Sequence, residues 1–195
     1  MTTNQILIKD AASTTPKQIS FATHATYAPA ANNVIEIGTP TEVEMSLLDL
    51  ADGAAVQSTK ADLGAVRARL YVVTPCLEYH VAAPTTGTIV EFYWAASGQS
   101  GAAVGNPGYA TGADGAYTGT PATLVEGIVQ LQSIGSLFVS ADLEFQIADV
   151  GWFTPAHRFG SLIVKNETGQ KIADTDIIET AVVLTPIVSD IAAAS

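Results

Sequence analysis

Short apolar runs with a two-residue period, each closed by turn-forming residues, recur along almost the whole of this chain. Gln18 to Tyr27, Asn33 to Ile37, Glu42 to Leu48, Ala65 to Val73, Cys76 to Val81 and Thr88 to Trp94 read this way. Ser136 to Ala141, Glu144 to Val150, Ser161 to Lys165 and Thr180 to Val188 continue the pattern. In Ala65 to Val73 the alternation sets Val66, Ala68, Leu70 and Val72 on one face and Arg67, Arg69 and Tyr71 on the other, which predicts a half-buried strand with the aliphatic face inward. The runs are separated by Gly38-Thr39-Pro40, Ala51-Asp52-Gly53, Ala83-Pro84 and Asn166-Glu167-Thr168-Gly169. Such residues turn a chain because glycine permits positive φ and proline fixes φ. Roughly ten short strands with little helix predict an all-β fold, an antiparallel sandwich of jelly-roll type.

Helix has two openings only. Thr123 to Gln132 spaces Leu124, Ile128 and Leu131 as a helix face, while Val125, Val129 and Ile134 equally allow a strand; Pro155 to Phe159 allows one turn. The expected organisation is an N-terminal arm over residues 1–17, a single sandwich domain over 18–190 and a short tail over 191–195. The arm holds the apolar triplet Ile6-Leu7-Ile8 followed by a polar tether.

Between the strand ending Glu91-Phe92-Tyr93-Trp94 and the run starting near Leu124 lies a long stretch from Ser97 to Pro121. It has almost no charge and carries glycines at positions 98, 101, 105, 108, 112, 115 and 119. Loops beyond about 15 residues are uncommon in compact domains and are mostly functional or disordered. Fully extended, such a segment reaches on the order of 80 Å. It reads as an arm that contacts another molecule, and deleting residues 102–118 is expected to leave the domain folded.

Charge narrows the partners. Eight Lys and Arg stand against 19 Asp and Glu, a formal net charge of −11, and the basic residues are scattered. A phosphate-binding surface needs clustered cations, so no nucleic-acid partner is expected. Only 14% of residues are charged and 48% are hydrophobic, against about 25% charged in ordinary domains. So weakly charged a surface calls for covering partners. No apolar run approaches the ~18 residues of a membrane span, and residues 1–13 lack the basic start and apolar core of a signal peptide. The expectation is a soluble protein made in the cytoplasm. The lone cysteine, Cys76, has no intrachain partner and lies in a strand-like run as a small buried hydrophobe.

Nothing in the residues spells a reaction. His24, His80 and His157 lie in separate segments, without the paired spacing of zinc ligands. Asp174, Asp176 and Glu179 lack the turn glycine and regular oxygens of a calcium loop. Gly98-Gln99-Ser100-Gly101 misses the nucleophile elbow by one position. Glu42 with Glu44, or Glu78 with Glu91 on neighbouring strands, offer the carboxylate pairs a glycosidase needs, with Trp94 or Trp152 as a sugar platform, but exposed strand carboxylates explain them as well. Asn166-Glu167-Thr168 fits the glycosylation triplet and reads as a turn. No catalytic residue, cofactor or metal ligand is expected.

Read in order, Phe92-Tyr93-Trp94-Ala95, the run GNPGYATGADGAYTG from Gly105, LQSIGSLFVSAD from Leu131, VGWFTPAHRFGSLIVKNETG from Val150 and the closing VVLTPIV from Val182 resemble a group of small virion proteins of tailed bacteriophages, of the capsid decoration or cement type. The resemblance spans Thr88 to Val188. It implies a β-sandwich bound to the outside of an assembled capsid, with the major capsid protein and neighbouring copies of itself, a trimer among the arrangements, as partners. Ile6, Leu7 and Ile8, which suit strand addition to a neighbour's sheet edge, and Gly105, Pro107, Tyr109 and Tyr117 of the long loop are then the expected contact residues. Tyr109 and Tyr117 serve as aromatic anchors or pack back on their own sandwich. A tail or receptor-binding component of the virion, or a carbohydrate-binding jelly roll, are the alternatives.

Overall fold

The computed structural model describes residues 17–65, 67–79, 81–143, 145–173 and 178–187. The expected arm at Ile6-Leu7-Ile8, the tail at 191–195, His80, Asp174 and Asp176 lie outside the described residues. Twelve strands run in order: β1 (Ile19–Ala22), β2 (Thr41–Glu44), β3 (Ala55–Gln57), β4 (Ala61–Asp62), β5 (Leu70–Leu77), β6 (Ile89–Ser97), β7 (Gly115–Ala116), β8 (Gln132–Phe138), β9 (Gln146–Ile147), β10 (Gly151–Phe153), β11 (Phe159–Glu167) and β12 (Ala181–Ile187). A short α-helix, α1 (Leu124–Ile128), precedes β8.

They form two sheets, ordered β10-β5-β12-β1-β2 and β7-β3-β11-β6-β8, with β9 paired to β5 and β4 to β11. All pairings are antiparallel except β1 with β2. Setting aside the short or added strands β2, β4, β7 and β9, the eight that remain cross between sheets in the jelly-roll sequence. β1, β5, β10 and β12 make one sheet and β3, β6, β8 and β11 the other, so that β1–β12, β3–β11, β5–β10 and β6–β8 are nested pairs. The expected all-β sandwich is what the chain forms.

The inner faces meet around Trp94. Its ring lies edge-on to Phe21 from the opposite sheet at 6.5 Å and tilted on Phe153 of β10 at 5.3 Å. Phe92, Leu162, Val164, Tyr71, Val73, Val182 and Leu184 complete the layer, all fully buried. One flank is closed by two glycines. A Cβ on Gly151 would lie 2.5 Å from the Ile134 carbonyl oxygen, and one on Gly135 would strike that of Val150. There the edges β8 and β10, from different sheets, come into backbone contact.

Several expected strands are corrected. Asn33 to Ile37 is irregular: it belongs to the crossover joining the parallel pair β1 and β2. Glu179 accepts from the Ala30 amide at 2.8 Å and from the Asn33 side chain, while the Gln18 carboxamide oxygen accepts from the Ile37 amide. These polar ties turn Asn33 inward and leave Val34 and Ile37 about half exposed, the reverse of a packed strand. In the expected run Ala65 to Val73 the strand begins only at Leu70, and its faces are inverted. Tyr71 and Val73 are in the core, while Leu70 and Val72 point outward, half-buried. The ladder with β12 and β10 fixes which face is inner, and the aromatic at position 71 outweighs the smaller aliphatics. The two runs separated at Pro75 are one strand, because Pro75 falls between the β10 and β9 pairings, where its missing N–H interrupts no bond on that side. The Glu144 to Val150 run contributes only Gln146–Ile147 to a strand, and β8 begins at Gln132 rather than Ser136.

Candidate interaction surface

The stretch from Ser97 to Pro121 is not an extended arm. Together with α1 it lies flat on the outer face of the second sheet, as a lid. Its first part wraps a cation: the Lys60 ammonium donates to Ser97 Oγ at 3.1 Å and to the carbonyls of Gln99, Gly101 and Val104 at 3.2, 2.6 and 2.8 Å. Three N–H groups and four neutral oxygens suit one another, and no carboxylate takes part. Desolvation by this wrapping pulls the Lys60 ammonium below its ordinary pKa. Asn106 next donates to Ala102 O and Ala110 O at 2.7 and 2.8 Å, folding the loop tip on itself.

The second part is stitched to β3 and its surroundings. Gln57 donates to Thr111 Oγ1 and accepts from the Thr111 amide, at 2.7 and 2.9 Å. Asp114 accepts from the Ser46 amide at 2.8 Å, and Gly115–Ala116 forms the edge strand β7 on β3. Tyr117 then plunges inward. It is 2% exposed, packs in a small second core with Ala55, Ala95, Ala110 and Ile163, and donates its hydroxyl to Gly108 O. Leu124, Ile128 and Leu131 of the α1 segment pack against the same cluster. The helix is only five residues long. Thr123 and Glu126 cap it reciprocally, the Glu126 amide donating to Thr123 Oγ1 at 3.3 Å and the Thr123 amide to Glu126 Oε2 at 3.0 Å.

The glycines therefore serve close packing rather than looseness. A Cβ on Gly108, whose φ is +62°, would lie 2.6 Å from Gly127 O and from a Leu131 methyl. Gly127 in turn leaves room for the Tyr117 hydroxyl.

Of the expected contact residues, Tyr117 takes the second of the two roles open to it and packs back on its own sandwich. Tyr109 is 43% exposed, held at φ +61° at the end of the 3-10 turn Pro107–Tyr109. Pro107 is half-buried at the start of that turn, and Gly105 is exposed with φ +69°. Residues that the sequence reading did not single out share the lid's exposed side. Val104, Val125 and Val129 are 55%, 65% and 74% exposed. Val125 and Val129 are one helical turn apart, a spacing that also suited a strand. These three valines and Tyr109 are exposed apolar side chains on an almost uncharged lid, of the kind used for protein contact.

The other candidate chemistries separate in space. Trp94 is buried in the core and offers no sugar platform. Glu78 follows β5 in one sheet while Glu91 sits on β6 of the other, paired with Lys165 at 3.4 Å, so they are not neighbours. Asn166 is fully buried, donating to Leu50 O and Gln170 O at 2.8 and 2.6 Å, which makes the glycosylation triplet a folded turn. Cys76 is buried as expected. Burial, then Glu179 and Glu78, push its thiol up to about 12. Among the described residues no three His, Cys, Asp or Glu side chains are grouped to hold a metal ion, and no helix is long and apolar enough to cross a membrane.

Two measurements probe the lid. Lys60→Met, which keeps the stem and removes the donor, is expected to open residues 99–104 to hydrogen exchange. The cost is about 1–2 kcal/mol, allowing for partial exposure, and unchanged protection there would show the ammonium to be incidental. Burial also raises the Tyr117 phenol to about 12 from an ordinary 10.0. A folded-state pKa above the unfolded one gives stability that is complete below pH 10 and is lost as pH rises toward 12. Alkaline denaturation should therefore begin at lower pH in wild type than in Tyr117→Phe, read by circular dichroism relative to each protein's neutral stability.

Comparisons of the chain with protein-family models, with curated proteins and with solved structures return no significant match.

Proposed function

We propose that this protein is a structural component of a tailed-phage virion that binds the outside of the assembled capsid and stabilises it, without catalysing a reaction. The observation that carries the reading is the lid: a long, nearly uncharged segment folded rigidly on the sandwich so that Val104, Tyr109, Val125 and Val129 face outward. The motif order between Thr88 and Val188 supports it as a resemblance, and the net charge of −11 suits an outer shell better than packaged DNA. Its partners in this reading are the major capsid protein and further copies of itself. A ligand that binds only the assembled shell stabilises it by RT ln(1 + [L]/Kd), so modest affinity repeated over many sites suffices.

Particles carrying Tyr109→Asp or Val129→Asp should lose the protein on purification while the isolated domain keeps its melting temperature, because both side chains are exposed. Each buried anchor that becomes a charge is expected to weaken binding by about 2 kcal/mol, some thirtyfold. Electron cryomicroscopy of the particle decides the location. Density on the tail with none on the head overturns the capsid reading in favour of a tail component.

A further inference from the structure

The first sheet carries a second apolar surface, independent of the lid and of the capsid reading. Trp152 of β10 is 70% exposed. Register places Val72 beside it, Thr185 beside Val72, and Ile187 beside Leu70. All five project from the outer face, since their neighbours Tyr71, Val73, Phe153 and Leu184 are in the core. Leu70, Val72 and Ile187 are half-buried, so the exposed indole stands at the edge of an aliphatic floor.

Residue 17, where the described chain starts, lies at this same end of the sheet. Gln18 precedes β1 and donates to Thr185 Oγ1 at 2.7 Å, which puts Lys17 next to the floor. Preceding it, Lys9 to Pro16 separate Lys17 from Ile6-Leu7-Ile8, the one run of large apolar residues in that segment. From Ile8 to Lys17 an extended chain spans up to about 30 Å. From β1 across β12 and β5 to β10 is three strand spacings, about 14 Å. The triplet reaches the indole with slack, and a tether this short supplies an effective concentration in the millimolar range, above that of any second copy in dilute solution.

We infer that Ile6-Leu7-Ile8 docks in cis on the surface formed by Leu70, Val72, Trp152 and Ile187. The arm then covers the protein's own apolar face in the free state.

The chain's two tryptophans make the test site-specific, because Trp94 is fully buried and silent to aqueous quenchers. Iodide quenching of tryptophan fluorescence is measured for the full chain, for Leu7→Asp in the full chain, and for a chain lacking residues 2–12. The full chain should show a shielded Trp152. Leu7→Asp and the truncation should both red-shift the emission and raise the quenching constant, with circular dichroism unchanged, and Trp152→Ala should abolish the difference. Equal quenching in all three chains overturns the proposal. So does shielding that disappears on dilution, which assigns the surface to a second copy. Shielding that survives Leu7→Asp but is lost when residues 188–195 are removed overturns it in favour of the C-terminal segment. None of these outcomes depends on where the protein sits in a particle.

Discussion

Gly160→Val is expected to leave the sandwich unable to fold at ordinary temperature. Gly160 lies in β11 with its missing side chain directed at the core, where an added Cβ would fall within the Trp94 ring system, 2.6 Å from Nε1. Neither side can give way. The Gly160 backbone is held between two antiparallel partners, Ala61 of β4 and Ala96 of β6. The indole is held between Phe21 of the opposite sheet and Phe153 of β10. Overpacking a rigid core costs about 1–3 kcal/mol where neighbours adjust, and more where they do not. Displacing the indole altogether approaches the ~3–5 kcal/mol of deleting a core tryptophan. Against a total stability on the order of 5–15 kcal/mol, the valine variant should be insoluble or show no cooperative transition. Gly160→Ala should fold with a clearly lower denaturation midpoint and an unchanged slope in denaturant. A Gly160→Ala midpoint equal to wild type would mean that the inner layer is looser than the contacts around Trp94 require.

What could be read ahead of the structure follows a physical division. β6, β11 and β12 were legible because they are long, buried on one or both faces, and rich in β-branched and aromatic residues. β3 and β4 have three and two residues, too few for any periodicity, and exist because β11 has backbone groups to pair. The inverted face of β5 shows the limit of alternation as a signal. A period of two says that faces differ, but only pairing with β12 and β10 says which one is inside. The lid was visible as an anomaly of length and glycine content, yet its conformation was not. Its determinants are Lys60 with the 99–104 carbonyls and Gln57 with Thr111, contacts between residues some 40 to 54 apart in sequence that leave no periodic trace. A glycine demanded by close packing and a glycine placed for freedom look the same in a sequence. Exposed Trp152 and buried Trp94 likewise occupy similar strand-like contexts, and only the register separates them.

That ambiguity is resolved by changing one glycine of the lid. Gly108→Ala is expected to detach the lid from the sandwich while the inner core around Trp94 stays intact. The substitution acts twice. Alanine at φ +62° costs on the order of 1–3 kcal/mol as backbone strain, and its methyl would press on Gly127 O and Leu131 at 2.6 Å and on the Tyr117 hydroxyl at 2.9 Å. The Tyr117 hydroxyl would lose the Gly108 carbonyl it donates to, and the ring would no longer seal Ala55, Ala95 and Ile163. Tyr117→Phe removes only that hydrogen bond and should cost about 1 kcal/mol, so the two variants separate backbone strain from the lost bond. Hydrogen exchange should rise across the lid in Gly108→Ala and remain slow in β1, β11 and β12. Removing residues 102–118, which the sequence alone suggests is harmless, takes Ala110, Tyr117 and β7 with it. The outer face at Ala95 and Ile163 would then be bare, and aggregation rather than a trimmed monomer is the expected product. If the deletion stays monomeric and Gly108→Ala keeps native protection across residues 99–131, the lid is an ornament on the sandwich and the apolar surface it presents is not rigid enough to serve as the proposed contact.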